Sequence, residues 1–107
     1  MEREILEFIK LFKTEDTLKL FTSGLCYWFA HILHSRFSNS TLMYDEASGH
    51  FVTRIEGDLY DISGKVTDKY SNPTDWNHMD DDLLKGRIVK QVILKTEGDA
   101  VWNNKDQ

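Results

Sequence analysis

The single cysteine of the chain, Cys26, follows Ser23-Gly24-Leu25 and begins the run Cys26-Tyr27-Trp28-Phe29-Ala30. A sulfur in the first turn of a helix lies beside unpaired backbone N–H groups and the positive end of the helix dipole. Such a position suits a thiolate nucleophile, and the same N–H groups can receive an oxyanion. Gly24 lets a substrate approach the backbone closely. A thiolate works best beside an imidazole that pairs with it and later returns a proton to a leaving group, and the imidazole in turn needs a carboxylate to fix its orientation. His50, directly after Gly49, and Asp61, eleven residues on, are the candidates for these two roles. Ser23, Gly24, Trp28, Gly49 and Trp76 are the candidates to complete an oxyanion site or to line the cleft.

For these residues to meet, the elements that carry them must pack together. Ile5, Phe8, Ile9 and Phe12 recur at spacings of three and four, which predicts an amphipathic helix over residues 2–13. Thr14 to Thr17 read as a polar break with capping residues, and Leu18, Leu20 and Phe21 then lead to a turn at Thr22-Ser23-Gly24. From Leu25, the residues Trp28, Phe29, Ile32, Leu33 and Phe37 keep a helical period until Ser38-Asn39-Ser40, so a central helix begins at the cysteine.

The period then falls to about two. Thr41-Leu42-Met43-Tyr44 predicts a strand, Glu46 to Gly49 a turn, His50 to Ile55 a second strand, and Leu59 to Ser63 a third that ends at Gly64. A two-residue turn at Glu56-Gly57 sets Ile55 opposite Asp58 and His50 opposite Ser63, leaving Asp61 one diagonal step from His50 on the same face. A three-residue turn would send Asp61 to the other face unless a bulge intervened. Beyond Gly64 the chain reads as an ordered loop anchored by Trp76. A short helix is expected over Asp80 to Lys85, ended by Gly86, and then a last strand over Ile88 to Leu94, with a continuous helix over residues 80–95 as the alternative. The fold class expected is α+β: an N-terminal and a central helix packed on a small antiparallel sheet, in one domain of 107 residues.

Composition narrows the functions. Hydrophobic residues make up 40% and charged residues 29%, which is the balance of a globular chain. A net charge of −5 argues against a nucleic-acid sleeve and for solubility or a basic partner, and the run Asp80-Asp81-Asp82 reads as a solvated face and a helix start. One cysteine cannot form an internal disulfide, the N-terminal residues lack the pattern of a signal peptide, and no apolar stretch is long enough to span a membrane, so cytoplasmic residence is expected. His31 and His34 stand three apart on the central helix but lack a second close pair of ligands, so neither a metal nor a cofactor is expected. A lone cysteine is otherwise most often a small core residue, and Trp28 and Trp76 are also natural core and loop anchors.

The residues Gly24-Leu25-Cys26, then Phe29-Ala30 and Leu33, followed by Gly49-His50-Phe51-Val52 and Gly57-Asp58-Leu59-Tyr60-Asp61, resemble the papain-like superfamily, especially its transglutaminase-like and compact bacterial peptidase branches. The resemblance covers roughly residues 22–64. It implies a papain-like core with Cys26 as nucleophile, His50 as base and Asp61 as orienting acid, acting on a peptide, isopeptide or amide bond. The partner implied is a peptide or protein, with no nucleic acid or membrane. The alternative is an inert acidic binding protein that blocks a larger partner, as small phage-encoded inhibitors can do.

Overall fold

A computed structural model describes residues 1–23 and 25–94 of the chain. The first helix, α1 (Glu2–Phe12), buries Ile5 and Ile9 and presents Phe8 and Phe12 to the same core. A second helix, α2 (Glu15–Ser23), follows where the sequence reading placed a break leading to a turn. Its start is held by two threonines: the Thr14 N–H donates to Thr17 Oγ1 at 2.7 Å, and the Thr17 N–H donates to Thr14 Oγ1 at 3.1 Å. The capping chemistry read at this break therefore opens a helix as well as separating two elements. The central helix, α3 (Cys26–Arg36), has Cys26 as its first residue and buries Phe29, Ala30 and Leu33.

The sheet has the order β4-β3-β2-β1-β5, every neighbouring pair being antiparallel. Its centre is the hairpin of β1 (Ser40–Asp45) and β2 (His50–Ile55), followed by β3 (Asp58–Asp61) and the two-residue β4 (Gly64–Lys65). The far edge is β5 (Thr74–Asp75), a strand of two residues against β1. Both β4 and β5 lie where an ordered loop was expected.

Ile55 pairs with Asp58, so the β2–β3 turn has two residues, Glu56 and Gly57, with φ of 51° and 86°. Two successive positive φ values make the tight turn whose twist matches a hairpin. The remaining register follows: Arg54 faces Leu59 and Thr53 faces Tyr60.

Alternation along β2 separates the two faces of the sheet. Phe51, Thr53 and Ile55 face the helices: Thr53 Oγ1 donates to the Ala30 carbonyl of α3 at 2.8 Å, and Ile55 and Tyr60 pack with Phe29, Leu33, Ile5 and Ile9. His50 and Val52 face the other way. There Val52 packs with Met43, Leu59 and Val66 under Tyr70, which comes from the connection after β4.

The last helix, α4 (Asp82–Ile88), is capped by Asp81, whose Oδ1 accepts the Leu84 N–H at 3.0 Å. Gly86 does not end it, and Val89–Leu94 continues as a wider helical turn, not as the strand expected over Ile88 to Leu94. The β-branched residues favour a strand only in isolation. Here Leu84, Ile88, Val89 and Ile93 bury one helical stripe against Trp76, Phe51 and Cys26, and that packing overrides local preference.

Candidate functional site

His50 is the first residue of β2, and the turn before it sets its position. Gly49 adopts φ of 67° and donates its N–H to the Asp45 carbonyl at 2.8 Å, while Asp45 Oδ2 accepts the N–H and hydroxyl of Ser48 at 3.0 and 2.6 Å. That turn delivers the imidazole to the end of the sheet. Asp61 reaches it diagonally from β3: His50 Nε2 lies 3.0 Å from Asp61 Oδ2, and both side chains are buried. The second carboxylate oxygen, Oδ1, accepts the Ser63 N–H at 2.7 Å, so the acid is held at both oxygens.

Cys26 approaches from the helix layer. Tyr27 packs edge-on against Phe51 with ring centroids 5.1 Å apart, which sets the first turn of α3 over the end of β2 where His50 begins. Cys26 lines the same cavity as His50, near enough to act on the charge of the imidazole. Burial works against a charged imidazole, but the hydrogen bonds to Asp61 and Cys26 and the negative charge of both outweigh it, raising the His50 pKa from 6.5 to about 9. Around neutral pH the ring is thus an imidazolium that can donate from both nitrogens.

Cys26, His50 and Asp61 line one cavity of about 270 Å³. Ser48 and Gly49 border it from the β1–β2 turn, and Ser63 from the turn after Asp61. Four residues of its wall, Ser48, Ser63, Lys69 and Tyr70, were not among the site candidates read from the sequence. The Tyr70 ring stacks on His50 at 5.5 Å between centroids and 25° between planes. Its phenol pKa is raised by burial first, then by the charges of Asp61, Asp45 and Cys26. An aromatic in a polar stretch after a hairpin was the one available signal, and it could not say what the ring covers.

The other candidates are placed differently. Trp76 is 7% exposed and lies 5.1 Å from Phe51 and 6.0 Å from Tyr44, with the Lys85 Nζ 4.9 Å above its ring. Trp28 packs against the same cluster, and its Nε1 is buried with no hydrogen-bond partner among the described residues. Neither tryptophan is among the residues that border this cavity; both pack in the cluster between sheet and helix, the core and anchor roles also read for them in the sequence. Ser23 ends α2, its side chain is not among those described, and Gly24 lies outside the described residues. His31 and His34 are turned to other partners: His31 stacks on Tyr27 at 6.1 Å, and His34 Nδ1 lies 2.8 Å from Ser40 Oγ. No helix among the described residues is long and apolar enough to cross a membrane.

A family model described as Phage YunG-like protein matches residues 5–96. No curated protein and no solved structure matches the chain. The family match overturns the resemblance to the papain-like and transglutaminase-like proteins, since it takes in the whole of residues 22–64 on which that resemblance stood. The physical reason is that a cysteine heading a helix, a histidine opening a strand and an aspartate on the next strand form a geometry that unrelated chains can reach independently.

Proposed function

The chain belongs to the Phage YunG-like family, and we propose that within that family it acts as a small cysteine-dependent hydrolase or acyltransferase on an amide bond. The observation that carries this reading is the shared cavity, lined by Cys26, His50 and Asp61, in which His50 is hydrogen-bonded to Asp61 Oδ2 at 3.0 Å. The Cys26 sulfur attacks the amide carbonyl carbon, forming a C–S bond while the π electron pair moves to oxygen. The Cys26 and Tyr27 N–H groups in the first turn of α3, which has no side-chain cap, are the donors for that oxygen, since those of Trp28 and Phe29 already donate to the Leu25 carbonyl. As the tetrahedral intermediate collapses, the C–N bond breaks and the His50 imidazolium gives its proton to the leaving amine. Water or an acceptor amine then attacks the thioester, His50 takes its proton, and the sulfur leaves. Asp61 holds the ring plane throughout.

The test is alkylation of the folded protein by iodoacetamide, followed by intact mass from pH 6 to pH 9. Cys26 reacts at pH 6 at least about ten-fold faster than free cysteine, whose thiol is almost fully protonated there, and His50→Ala removes the advantage. A rate that follows an ordinary thiol profile overturns the reading.

Membership of a phage family and the net charge of −5 support a second reading, an acidic protein that binds and blocks a partner. Asp80, Asp81 and Asp82 are exposed, although Asp81 is also used as the cap of α4. Under this reading Cys26→Ala keeps full effect in a cellular assay, and reversing the charge of Asp80 and Asp82 abolishes it. The opposite pattern eliminates it.

A further inference from the structure

Resting on the nucleophile reading of Cys26, we propose that Lys69 selects the substrate of this cavity, and that the amide attacked lies next to a carboxylate. The argument is an inventory of charge around the cavity. Asp61 is committed, one oxygen to His50 and the other to the Ser63 N–H. His50 is committed to Asp61 and shares the cavity with Cys26. The Ser48 hydroxyl donates to Asp45. Among the described residues Lys69 is the only lysine or arginine that lines the cavity, it is exposed, and it makes no ion pair with any of them.

The neighbouring lysine sharpens the point. Lys65, four residues earlier, is paired with Glu2 at 3.1 Å and Asp58 at 3.5 Å, and it does not border the cavity. In a chain of net charge −5, an uncompensated ammonium at the mouth of a polar cavity repels cationic ligands and holds anionic ones. The short helical turn Thr67–Lys69 ends at this residue, and Tyr70 next to it is stacked on His50, so the backbone that carries Lys69 is tied to the wall that covers the imidazole.

The experiment uses the full chain and compares Cys26 alkylation by anionic iodoacetate and neutral iodoacetamide at low salt. Lys69→Glu lowers the iodoacetate-to-iodoacetamide rate ratio by about five-fold or more, as expected for reversing one charge near the reacting centre, and added salt shrinks the difference. Lys65→Gln leaves the ratio within two-fold. Protection of Cys26 from iodoacetamide by N-acetylglutamic acid α-amide assigns the carboxylate to a side chain, and protection by N-acetylglycine assigns it to a chain terminus. A ratio unmoved by Lys69→Glu, or protection by neither compound, overturns the proposal. A Cys26 inert to iodoacetamide itself removes the nucleophile reading beneath it instead.

Discussion

Two turns at the same end of the sheet, Asp45 to Gly49 and Asp61 to Gly64, are built from the same part and used differently. Each begins with a buried aspartate at the end of a strand, and each aspartate accepts a backbone N–H from the turn it opens, Ser48 in one and Ser63 in the other. Asp45 spends the same oxygen again on the Ser48 hydroxyl, so its recorded bonds all lie within its own turn. Asp61 uses Oδ1 for its turn and keeps Oδ2 for His50 on the adjacent strand. A carboxylate that closes a turn thus becomes part of a site when its second oxygen points across the sheet, and the register of β2 against β3 is what points it there.

The largest expected effect breaks this pair apart. Asp61→Ala leaves a buried imidazole without its acceptor and the Ser63 N–H without its own, and costs about 2–3 kcal/mol in urea unfolding. Asp45→Ala costs about 1 kcal/mol, since its partners sit in a partly exposed turn. Only Asp61→Ala lowers the rate of Cys26 alkylation at pH 6. Equal loss of reactivity in both variants would show that Asp61 acts as a turn device alone.

The pH dependence sharpens the comparison. His50 holds its proton up to about 9 in the folded chain, against an ordinary value near 6.5 when unfolded. Its contribution to stability is therefore fully present below about pH 6.5 and is lost as pH rises through about 9. Thermal melts should show the midpoint falling across that window, and the fall should be absent in His50→Gln and reduced in Asp61→Asn. Asp45→Asn should retain it.

A smaller effect is expected from the ring that covers the site. Tyr70→Phe keeps the stack on His50 and changes the pH profile of alkylation little, whereas Tyr70→Ala opens the His50–Asp61 bond to water and lowers the His50 pKa. Titration of the His50 ring by NMR in the two variants checks this. Identical His50 titrations in Phe and Ala variants would reduce Tyr70 to packing.

Which elements carry Cys26, His50 and Asp61 could be read along the chain, because helical period and strand alternation are local properties that set which way side chains face. The helix starting at Cys26 and the strand starting at His50 were legible for that reason, whereas the choice between a two-residue and a three-residue turn after Ile55 was open until the pairing of Ile55 with Asp58 decided it. Tertiary structure alone decided the rest. Residues 65–72 carry no period, so nothing local says that Tyr70 lies on the imidazole or that Lys69 stands at the cavity mouth. The helical state of Ile88 to Leu94 was likewise set from outside, by the apolar surface of Trp76 and Phe51 that its stripe covers. The family followed neither local pattern nor site geometry, since an arrangement of three side chains constrains chemistry far more tightly than ancestry.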